Sequence, residues 1–286
     1  MKPGRFAYAC PRTLDEALAL AANGEAKCLA GGQSLMPMLN LRLARVEALI
    51  DLNRVPELAR LERRDGILQV GATVRHRALE ESPIARELQP LVPRAAREIG
   101  HLAIRNRGTI GGSLAHADPA AEWPLVAALL DAEVTLASAG GARKLPARDF
   151  FLGPLTTAAS PSEIVTAITF PAAAAGTRFA FHKLCRRPGD FAIVAVAAAI
   201  RLDANGRCVA ASLAVGGAHD VPLRARAAEG ILTGSGGEID AIRSAADAAA
   251  RDCEPGSDVH GSAAFRRRMV TVLAARAIRE ASAPAA

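Results

Sequence analysis

A turn with two adjacent glycines, placed between a short strand and a helix, constrains this chain more than any other feature. The segment AGGQSLMPMLNLRL occupies residues 30–43, and its Gly31, Gly32, Gln33 and Ser34 directly follow a predicted strand at 27–29. A helix is expected to begin near Leu35. Because glycine has no Cβ, such a turn can be tight and can bring its backbone N–H groups close to a ligand.

A second glycine-rich segment, IRNRGTIGGSLAHADPAAEWP, covers residues 104–124. In it Gly111, Gly112 and Ser113 follow Thr109, and the same approach of backbone N–H groups to a ligand is expected. A helix N-terminus behind such a turn favours phosphate groups. Paired glycines most often serve only a turn, but two such loops, each with Ser or Thr beside the glycines, favour a ligand that carries a diphosphate.

Other sites that use similar residues are disfavoured by the spacing. The first loop lacks the G-x-G-x-x-G pattern of a Rossmann dinucleotide fold, so Asp51, about twenty residues further on, is expected at a strand end or in a turn rather than on a ribose. The Gly-Lys-Ser/Thr end of a Walker loop is also missing. Ser113, His116 and Asp118 lie too close together in sequence to form a hydrolase triad easily.

Composition disfavours a nucleic-acid-binding protein. The formal net charge is +6, but basic and acidic residues are interspersed, the arginine runs at 186–187 and 266–268 are short, and aromatic residues make up 3% of the chain. Neither a basic groove nor a stacking platform is therefore expected. The N-terminal segment does not resemble an export signal and the longest apolar run, 191–200, is too short to span a bilayer, which favours a cytoplasmic protein.

The cysteines do not predict a metal centre or an iron–sulfur cluster. They are widely separated, without a C-x-x-C pair, whereas a cluster usually needs four grouped thiolates. We expect no metal site in this chain and interpret these residues as buried thiols: Cys10, Cys28, Cys185, Cys208 and Cys253.

Helices and strands are predicted to alternate through the first third of the chain. Thr13 and Glu16 form a capping-box pattern, and the helix that follows has one apolar face formed by Leu14, Ala17, Leu18 and Ala21. Further strands are predicted at 46–52, 66–74, 133–136 and 163–171, and further helices at about 93–99 and 125–130. The AAAAG segment at 172–176 is interpreted as the connector between two domains.

The second domain is expected to be a small sheet covered by helices. Residues 191–217 suggest two apolar strands joined by a turn at 203–206, although the alanine-rich first run equally suits a buried helix. Residues 263–281 form a predicted helix. Its apolar face is expected to include Phe265, Met269, Val272, Leu273 and Ile278.

Three segments together resemble a known family. KCLAGGQSLMPMLNLRL, IRNRGTIGGSLAHADPAAEWP and KLCRRPGDFAIVAVA are similar to motifs of the FAD-binding medium subunit of the molybdenum hydroxylases, the group of xanthine dehydrogenase and carbon monoxide dehydrogenase. The resemblance spans almost the whole chain. It implies an α+β fold: a two-part FAD-binding domain of the PCMH/VAO type at 1–176, and a small C-terminal α+β domain of the CO dehydrogenase flavoprotein type at 177–286.

The resemblance also implies which residues contact FAD. The first loop would hold the pyrophosphate through the stretch Lys27, Cys28, Leu29, Ala30, Gly31, Gly32, Gln33, Ser34 and Leu35. The second loop would contact phosphate or ribityl groups through Thr109, Gly112 and Ser113, with His116 and Glu122 also near the cofactor. Positions near the flavin are matched by Ile99, Ile164, Lys183 and Phe191. For Lys183 the alternative is a lysine whose stem packs at the domain interface with its head in water, and for Phe191 it is core packing.

The resemblance implies an oxidoreductase subunit that transfers electrons and has no catalytic acid or base of its own. Its partners would be a large molybdopterin-binding subunit and a small two-iron two-sulfur subunit, in a dimer of heterotrimers, with an external electron acceptor. Two alternatives remain open at this point: a self-contained FAD oxidoreductase on the same fold, and a flavin-free scaffold protein. The substrate and the acceptor are not determined by this sequence.

Overall fold

The first glycine turn lies in a small parallel sheet. In the computed structural model, which describes residues 2–283, this sheet has the strand order β1-β3-β2. Its strands are β1 (Ala7–Ala9), β2 (Ala26–Leu29) and β3 (Ala48–Asp51). Helix α1 (Leu14–Ala21) joins β1 to β2, and α2 (Leu35–Asn40) follows the turn. The predicted strands at 27–29 and 46–52 and both helices are confirmed.

The N-terminus of α1 is capped as predicted, with one difference. The Thr13 side chain accepts a hydrogen bond from the Glu16 N–H at 3.2 Å. The Glu16 carboxylate, however, accepts from the Arg12 N–H at 2.7 Å and not from the Thr13 N–H of a regular capping box. Ala17 and Ala21 are fully buried against the small sheet, so the predicted apolar face is the packed one.

The next part of the chain forms a five-stranded antiparallel sheet of order β4-β5-β10-β6-β7. Two 3₁₀ turns, Leu52–Arg54 and Pro56–Ala59, lead into it. The strands of this part, including the β8–β9 hairpin that lies apart from the sheet, are β4 (Leu61–Arg64), β5 (Ile67–Gly71), β6 (Glu133–Ser138), β7 (Gly141–Pro146), β8 (Phe151–Gly153), β9 (Thr156–Thr157) and β10 (Ile164–Phe170).

Six helices connect β5 to β6, and a short one follows β7. They are α3 (His76–Glu81), α4 (Pro83–Leu88), α5 (Leu91–Glu98), α6 (Leu102–Arg107), α7 (Ile110–His116), α8 (Glu122–Leu129) and α9 (Ala147–Phe150). Helices α5 and α8 confirm the helices predicted near these positions. The sequence did not reveal α3, α4, α6 and α7, because six or seven residues are too few to show a helical period.

The last part is a four-stranded antiparallel sheet with three helices, as expected. The strands, in their order in the sheet, are β11 (Thr177–Leu184), β12 (Val194–Leu202), β13 (Cys208–Gly216) and β14 (Leu223–Arg224). The helices are α10 (Arg226–Leu232), α11 (Ile239–Asp252) and α12 (Ala263–Ser282). The alanine-rich run is therefore a strand.

Strand β12 is buried on both faces, which explains its composition. Ala195, Ala197 and Ala199 face the core shared with the preceding part of the chain. Val194 and Val196, on the opposite face, belong to the core shared with α11 and α12. Period-2 alternation thus exists, but it separates two apolar environments rather than core from water, so it could not be distinguished from a buried helix.

The predicted apolar face of α12 is only partly correct. Leu273 and Ile278 are buried, but Phe265 is 40% exposed. The helix packs on the sheet mainly through small residues such as Ala274 and Ala277, which are fully buried. Small side chains allow the helix to lie close to β12, and the larger ones at its N-terminal end lie outside this contact.

Helix α8 is enclosed by both halves of the molecule. All eight of its residues are buried, and β12 and β13 cover one of its sides. Arg224 of β14, whose side chain is 13% exposed, binds its C-terminal end. Its guanidinium donates to the Ala128 and Leu129 carbonyls at 3.0 Å each and to Asp131 at 3.0 Å, and it also pairs with Glu229.

Within the described part of the chain, no helix combines the length and the apolar composition that crossing a bilayer requires.

Substitution Arg224→Met should destabilise the protein by about 3 kcal/mol, because it removes the buried cation beside the Glu229 carboxylate and leaves the Ala128 and Leu129 carbonyls without their side-chain donor. The matched control is Arg226→Met: Arg226 contacts the same two carboxylates, Asp131 and Glu229, but is 61% exposed, so the expected loss is at most about 1 kcal/mol. Urea unfolding measures both. Equal losses would contradict the role of Arg224 at α8.

Candidate cofactor-binding site

The first glycine loop presents a row of unpaired backbone donors. Among residues 2–283, no oxygen accepts a hydrogen bond from the N–H groups of residues 31–35. The carbonyls on the same turn are used: Gly31 O accepts from the Gln33 side chain at 3.0 Å and Gly32 O from the Met36 N–H at 3.2 Å. Donors gathered without acceptors on one tight turn suit an anion that offers several oxygens.

Two glycines give this loop its shape. Gly32 has φ +70°, in the left-handed region that favours glycine. A Cβ on Gly31 would lie 2.4 Å from the Arg107 carbonyl oxygen and 2.7 Å from the Gly108 Cα. The first loop therefore lies directly against the segment that leads into the second loop, and no side chain fits between them.

The second glycine segment differs from the prediction, because its backbone donors are already paired. It forms the first turn of α7. The Ile110 N–H donates to Val74 O at 3.1 Å and the Gly111 N–H to Ala72 O at 2.9 Å. The expectation that this loop also presents free backbone N–H groups is wrong at these positions, because α7 packs on the end of β5, where a Cβ on Gly111 would lie 2.4 Å from the Ala72 Cβ.

Thr109 completes the pairing of this turn. Its hydroxyl accepts from the Gly112 N–H at 3.1 Å, and its carbonyl accepts from the Ser113 N–H at 3.1 Å. Thr109 is thus the N-cap of α7. The Ser113 hydroxyl and the His116 ring, both half-buried, make no hydrogen bond to any described residue. Side chains, rather than backbone, are what this segment can offer a ligand.

The residues that precede the first loop differ in their surroundings. Lys27 is exposed, and Cys28 and Leu29 are half-buried. Burial raises the pKa of the Cys28 thiol to about 11, so it stays protonated and unreactive. The Ser34 hydroxyl makes no capping bond to α2, and Leu35 is half-buried.

Two of the apolar site predictions lie in packed regions. Ile164 is 2% exposed and packs below the small parallel sheet, in the same cluster as Cys28. Ile99 is half-buried at the C-terminal end of α5, and its carbonyl accepts from the Arg105 side chain at 3.2 Å.

Lys183 and Glu122 form a buried ion pair between the two halves of the chain. The Lys183 Nζ lies 2.8 Å from Glu122 Oε1, and the two side chains are 2% and 6% exposed. Nζ also donates to the Glu98 carbonyl and, at 3.3 Å, to the Asp190 carbonyl. The alternative of a lysine with its head in water is therefore wrong, and all three ammonium donors are used.

Phe191 directly follows the Asp190 carbonyl that Lys183 binds. Its side chain is 54% exposed, whereas the next two residues, Ala192 and Ile193, are buried. Core packing, the alternative for Phe191, is thus not what the structure shows. The apolar run begins one residue later, and the aromatic ring remains available at the surface near the ion pair.

Asp51 lies at the end of β3, as predicted. Its carboxylate accepts from the Tyr8 hydroxyl at 2.6 Å and from the Asn53 N–H at 2.9 Å. Burial alone would raise the pKa of Asp51, but the hydrogen bonds from Tyr8 and Asn53 outweigh it and lower the pKa. The neighbouring Asn53 and Arg75 contact the two loop segments. No sequence motif identified Asn53 and Arg75 as site residues. Only their positions directly after β3 and β5 could have indicated that they lie near the loops.

Substitution Lys183→Met should cost about 3 kcal/mol of stability, because it leaves Glu122 buried without a partner. Burial already raises the pKa of Glu122 above its ordinary 4.5, whereas Lys183 lowers it. Without Lys183 that pKa rises further, the folded state binds a proton that the unfolded state releases, and stability falls as the pH increases above 4.5. Urea unfolding should thus show a larger loss at about pH 8 than at about pH 5.

The control for this prediction is Lys144→Met. Lys144 pairs with Glu133 at 2.8 Å, but the two side chains are 59% and 40% exposed. Its loss should stay below about 1 kcal/mol at either pH. A Lys183→Met loss that does not change with pH would contradict the assignment of the effect to the Glu122 carboxylate.

Comparison with known proteins identifies the family. Residues 4–173 match a family model described as "FAD binding domain in molybdopterin dehydrogenase", and residues 179–281 match one described as "CO dehydrogenase flavoprotein C-terminal domain". The chain is 40% identical over 283 residues to the 6-hydroxypseudooxynicotine dehydrogenase complex subunit alpha of Paenarthrobacter nicotinovorans, covering 98% of this chain and 96% of that relative.

A second relative and a solved structure support the same family. The glyceraldehyde dehydrogenase medium chain of Sulfolobus acidocaldarius is 38% identical over 281 residues, covering 98% of this chain and 99% of that relative. A structure of carbon monoxide dehydrogenase from Hydrogenophaga pseudoflava, lacking the Mo-pyranopterin moiety, superimposes with a TM-score of 0.95 at 38% identity, covering 98% of each chain. The chain therefore belongs to the family of FAD-binding medium subunits of molybdenum hydroxylases, with FAD as its cofactor.

Proposed function

We propose that this chain is the electron-exit subunit of a molybdenum-containing hydroxylase or dehydrogenase complex. In this proposal a large molybdopterin-binding subunit oxidises the substrate, and a small subunit with two-iron two-sulfur clusters carries the electrons. This chain then delivers them, through its FAD, to an external acceptor. The observation that supports it most directly is the row of unpaired backbone N–H groups at residues 31–35, which suits the diphosphate of FAD.

The two loops have different tasks in this proposal. The first loop binds the diphosphate through backbone N–H groups, which carry no formal charge and are held by the turn. The second loop contributes the hydroxyl of Ser113 and the ring of His116, because its own N–H groups are paired within α7 and with the end of β5. Bound FAD supplies reversible redox chemistry, and the chain supplies its binding, orientation and access.

We propose that the flavin end of the cofactor lies toward Lys183, Glu122 and Phe191. The ion pair has no net charge, and its ammonium donors are all used. Its main effect is therefore to hold the backbones of Glu98 and Asp190 in place, and its local positive field is weak. Through the Asp190 carbonyl it holds the backbone that carries Phe191. An exposed aromatic ring at that point can cover a flavin face and control which acceptor reaches it.

The remaining parts of the proposal concern domains and partners. We place the domain boundary at residue 176, so that 1–176 bind FAD and 177–286 form the second domain. The segment between the two matched family regions supports this boundary. The names of relatives as medium chains or complex subunits support partner subunits, which we propose to be the large and small subunits above, in a dimer of heterotrimers in the cytoplasm.

Substitution Gly31→Ala should weaken FAD binding by about 100-fold. Its Cβ would overlap the Arg107 carbonyl at 2.4 Å, a backbone atom that no rotamer change can move away, so the two loops must separate. The control is Gly153→Ala, at a position where a Cβ would meet no atom within 4 Å. Titration of each apoprotein with FAD, followed by flavin fluorescence, gives both affinities; unchanged affinity in Gly31→Ala would contradict the importance of the close approach.

The same variant tests the electron route. In the purified complex, a substrate that reduces the iron–sulfur clusters should still reduce them in the FAD-depleted Gly31→Ala form, because oxidation occurs on another subunit. Reduction of the external acceptor should be lost. Absorbance changes of the clusters and of the acceptor measure the two steps separately. Acceptor reduction at the wild-type rate without FAD would refute the proposed function, and so would failure of the intact complex to bind FAD.

A further inference from the structure

Two polar side chains link the backbones of the two loop segments, and neither belongs to the predicted FAD contacts. Asn53 lies just after β3, and its Nδ2 donates to the Ala30 carbonyl at 2.9 Å. Arg75 lies between β5 and α3, and its guanidinium donates to the Arg107 carbonyl. The Arg75 Nη2 also donates to Asn53 Oδ1 at 2.5 Å. A continuous path of hydrogen bonds therefore runs from the first loop to the segment that begins the second.

This path lies where the spacing of the loops matters most. Gly31, the residue after Ala30, is the one whose Cβ would overlap the Arg107 carbonyl. The carbonyls bound by Asn53 and by Arg75 are thus on the two backbones that meet at Gly31. A change in either hydrogen bond alters how closely the segments approach, and with it the direction of the unpaired N–H groups at 31–35.

The Asn53 side chain is itself held in place. Asp51 accepts hydrogen bonds from the Asn53 N–H at 2.9 Å and from the Asn53 side chain. The Tyr8 hydroxyl donates to the other oxygen of Asp51 at 2.6 Å, and this hydrogen bond raises the pKa of Tyr8 to about 12. The phenol therefore remains a donor across the neutral range, and the amide of Asn53 has a defined orientation toward Ala30.

We propose that Asn53 and Arg75 are positioning residues that fix the spacing of the two loops and so preorganise the FAD site. They act through the Ala30 and Arg107 carbonyls. The inference depends on FAD binding by this chain but not on the proposed electron route. Preorganisation increases affinity because the bound conformation need not be ordered when the ligand arrives.

A different role for Arg75 is attraction of the anionic cofactor by charge alone. Burial lowers the pKa of Arg75, and the nearby positive charge of Arg107 lowers it further. The two roles predict different results for Arg75→Lys. Lysine keeps the charge but cannot donate in two directions from a planar fork, so it should not restore a positioning function.

The test is an FAD titration of the full-length apoprotein by flavin fluorescence. Asn53→Ala and Arg75→Met should each raise the FAD dissociation constant by about tenfold, the effect expected for one lost hydrogen bond to a charged or oriented group. Because both substitutions break the same path, the double variant should bind FAD about as weakly as the weaker-binding single variant. The increase in its dissociation constant should not equal the product of the two single increases. Arg75→Lys should bind as weakly as Arg75→Met, at low and at high salt.

The control is Arg54→Met. Arg54 is exposed, lies next to Asn53 and carries the same charge as Arg75, and its side chain has no hydrogen bond or ion pair with any described residue. The Arg54→Met variant should therefore bind FAD with wild-type affinity. The thermal midpoints of the Asn53→Ala and Arg54→Met apoproteins should lie close to that of the wild type, because both side chains are exposed. If Arg75→Met lowers the thermal midpoint of the apoprotein, its loss of affinity no longer isolates the positioning effect. The FAD affinity of Asn53→Ala, whose side chain is exposed, then tests the proposal.

Three results would overturn the proposal: multiplicative losses in the double variant, recovery by Arg75→Lys, or wild-type affinity in Asn53→Ala. The first two indicate independent or charge-based contacts with FAD. The third would show that the path of hydrogen bonds does not affect FAD binding, although the chain still binds FAD. A wild-type apoprotein that does not bind FAD would instead refute the cofactor assignment itself, so the two failures can be distinguished.

Discussion

The burial of α8 is the constraint on which the rest of this structure depends. All eight residues of the helix are buried, so its polar ends cannot be satisfied by water and need partners within the protein. Arg224 binds the carbonyls at its C-terminal end, and Lys183 pairs with Glu122 at its N-terminal end. Both cations come from the second half of the chain, so the helix is completed only when the two halves have docked.

This docking also builds the surface at which the flavin is proposed to lie. Lys183 binds the Glu98 carbonyl and the Glu122 carboxylate on one side and the Asp190 carbonyl on the other. The backbone before Phe191 is thus held against the ends of α5 and α8, and its ring is left exposed. A buried pair of this kind contributes little net stability compared with apolar packing, but breaking it is costly. Its effect is to define one arrangement of the segments around the site.

The two glycine loops look alike in sequence, yet the structure gives them different properties. In the first, the N–H groups at 31–35 have no acceptor, and in the second the N–H groups of residues 110–113 are all paired. The glycines of the second loop serve packing, since Gly111 allows α7 to lie on the end of β5. One loop can therefore bind an anion through its backbone, whereas the other must do so through side chains.

The sequence by itself determined the local features of the protein: the glycine turns, the Thr13 cap of α1, the strands around them and the motifs that resemble the flavoprotein family. These depend on residues near one another in the chain, where capping, turn geometry and period-2 patterns operate. The tertiary structure alone decided that β12 is a strand, that the N–H groups of α7 are paired, that Lys183 is buried, that Phe191 is exposed and that Asn53 and Arg75 join the loops. The physical reason is that burial and hydrogen-bond pairing are set by partners far away in sequence. Glu122 and Lys183, for example, lie 61 positions apart, and no local pattern specifies such partners.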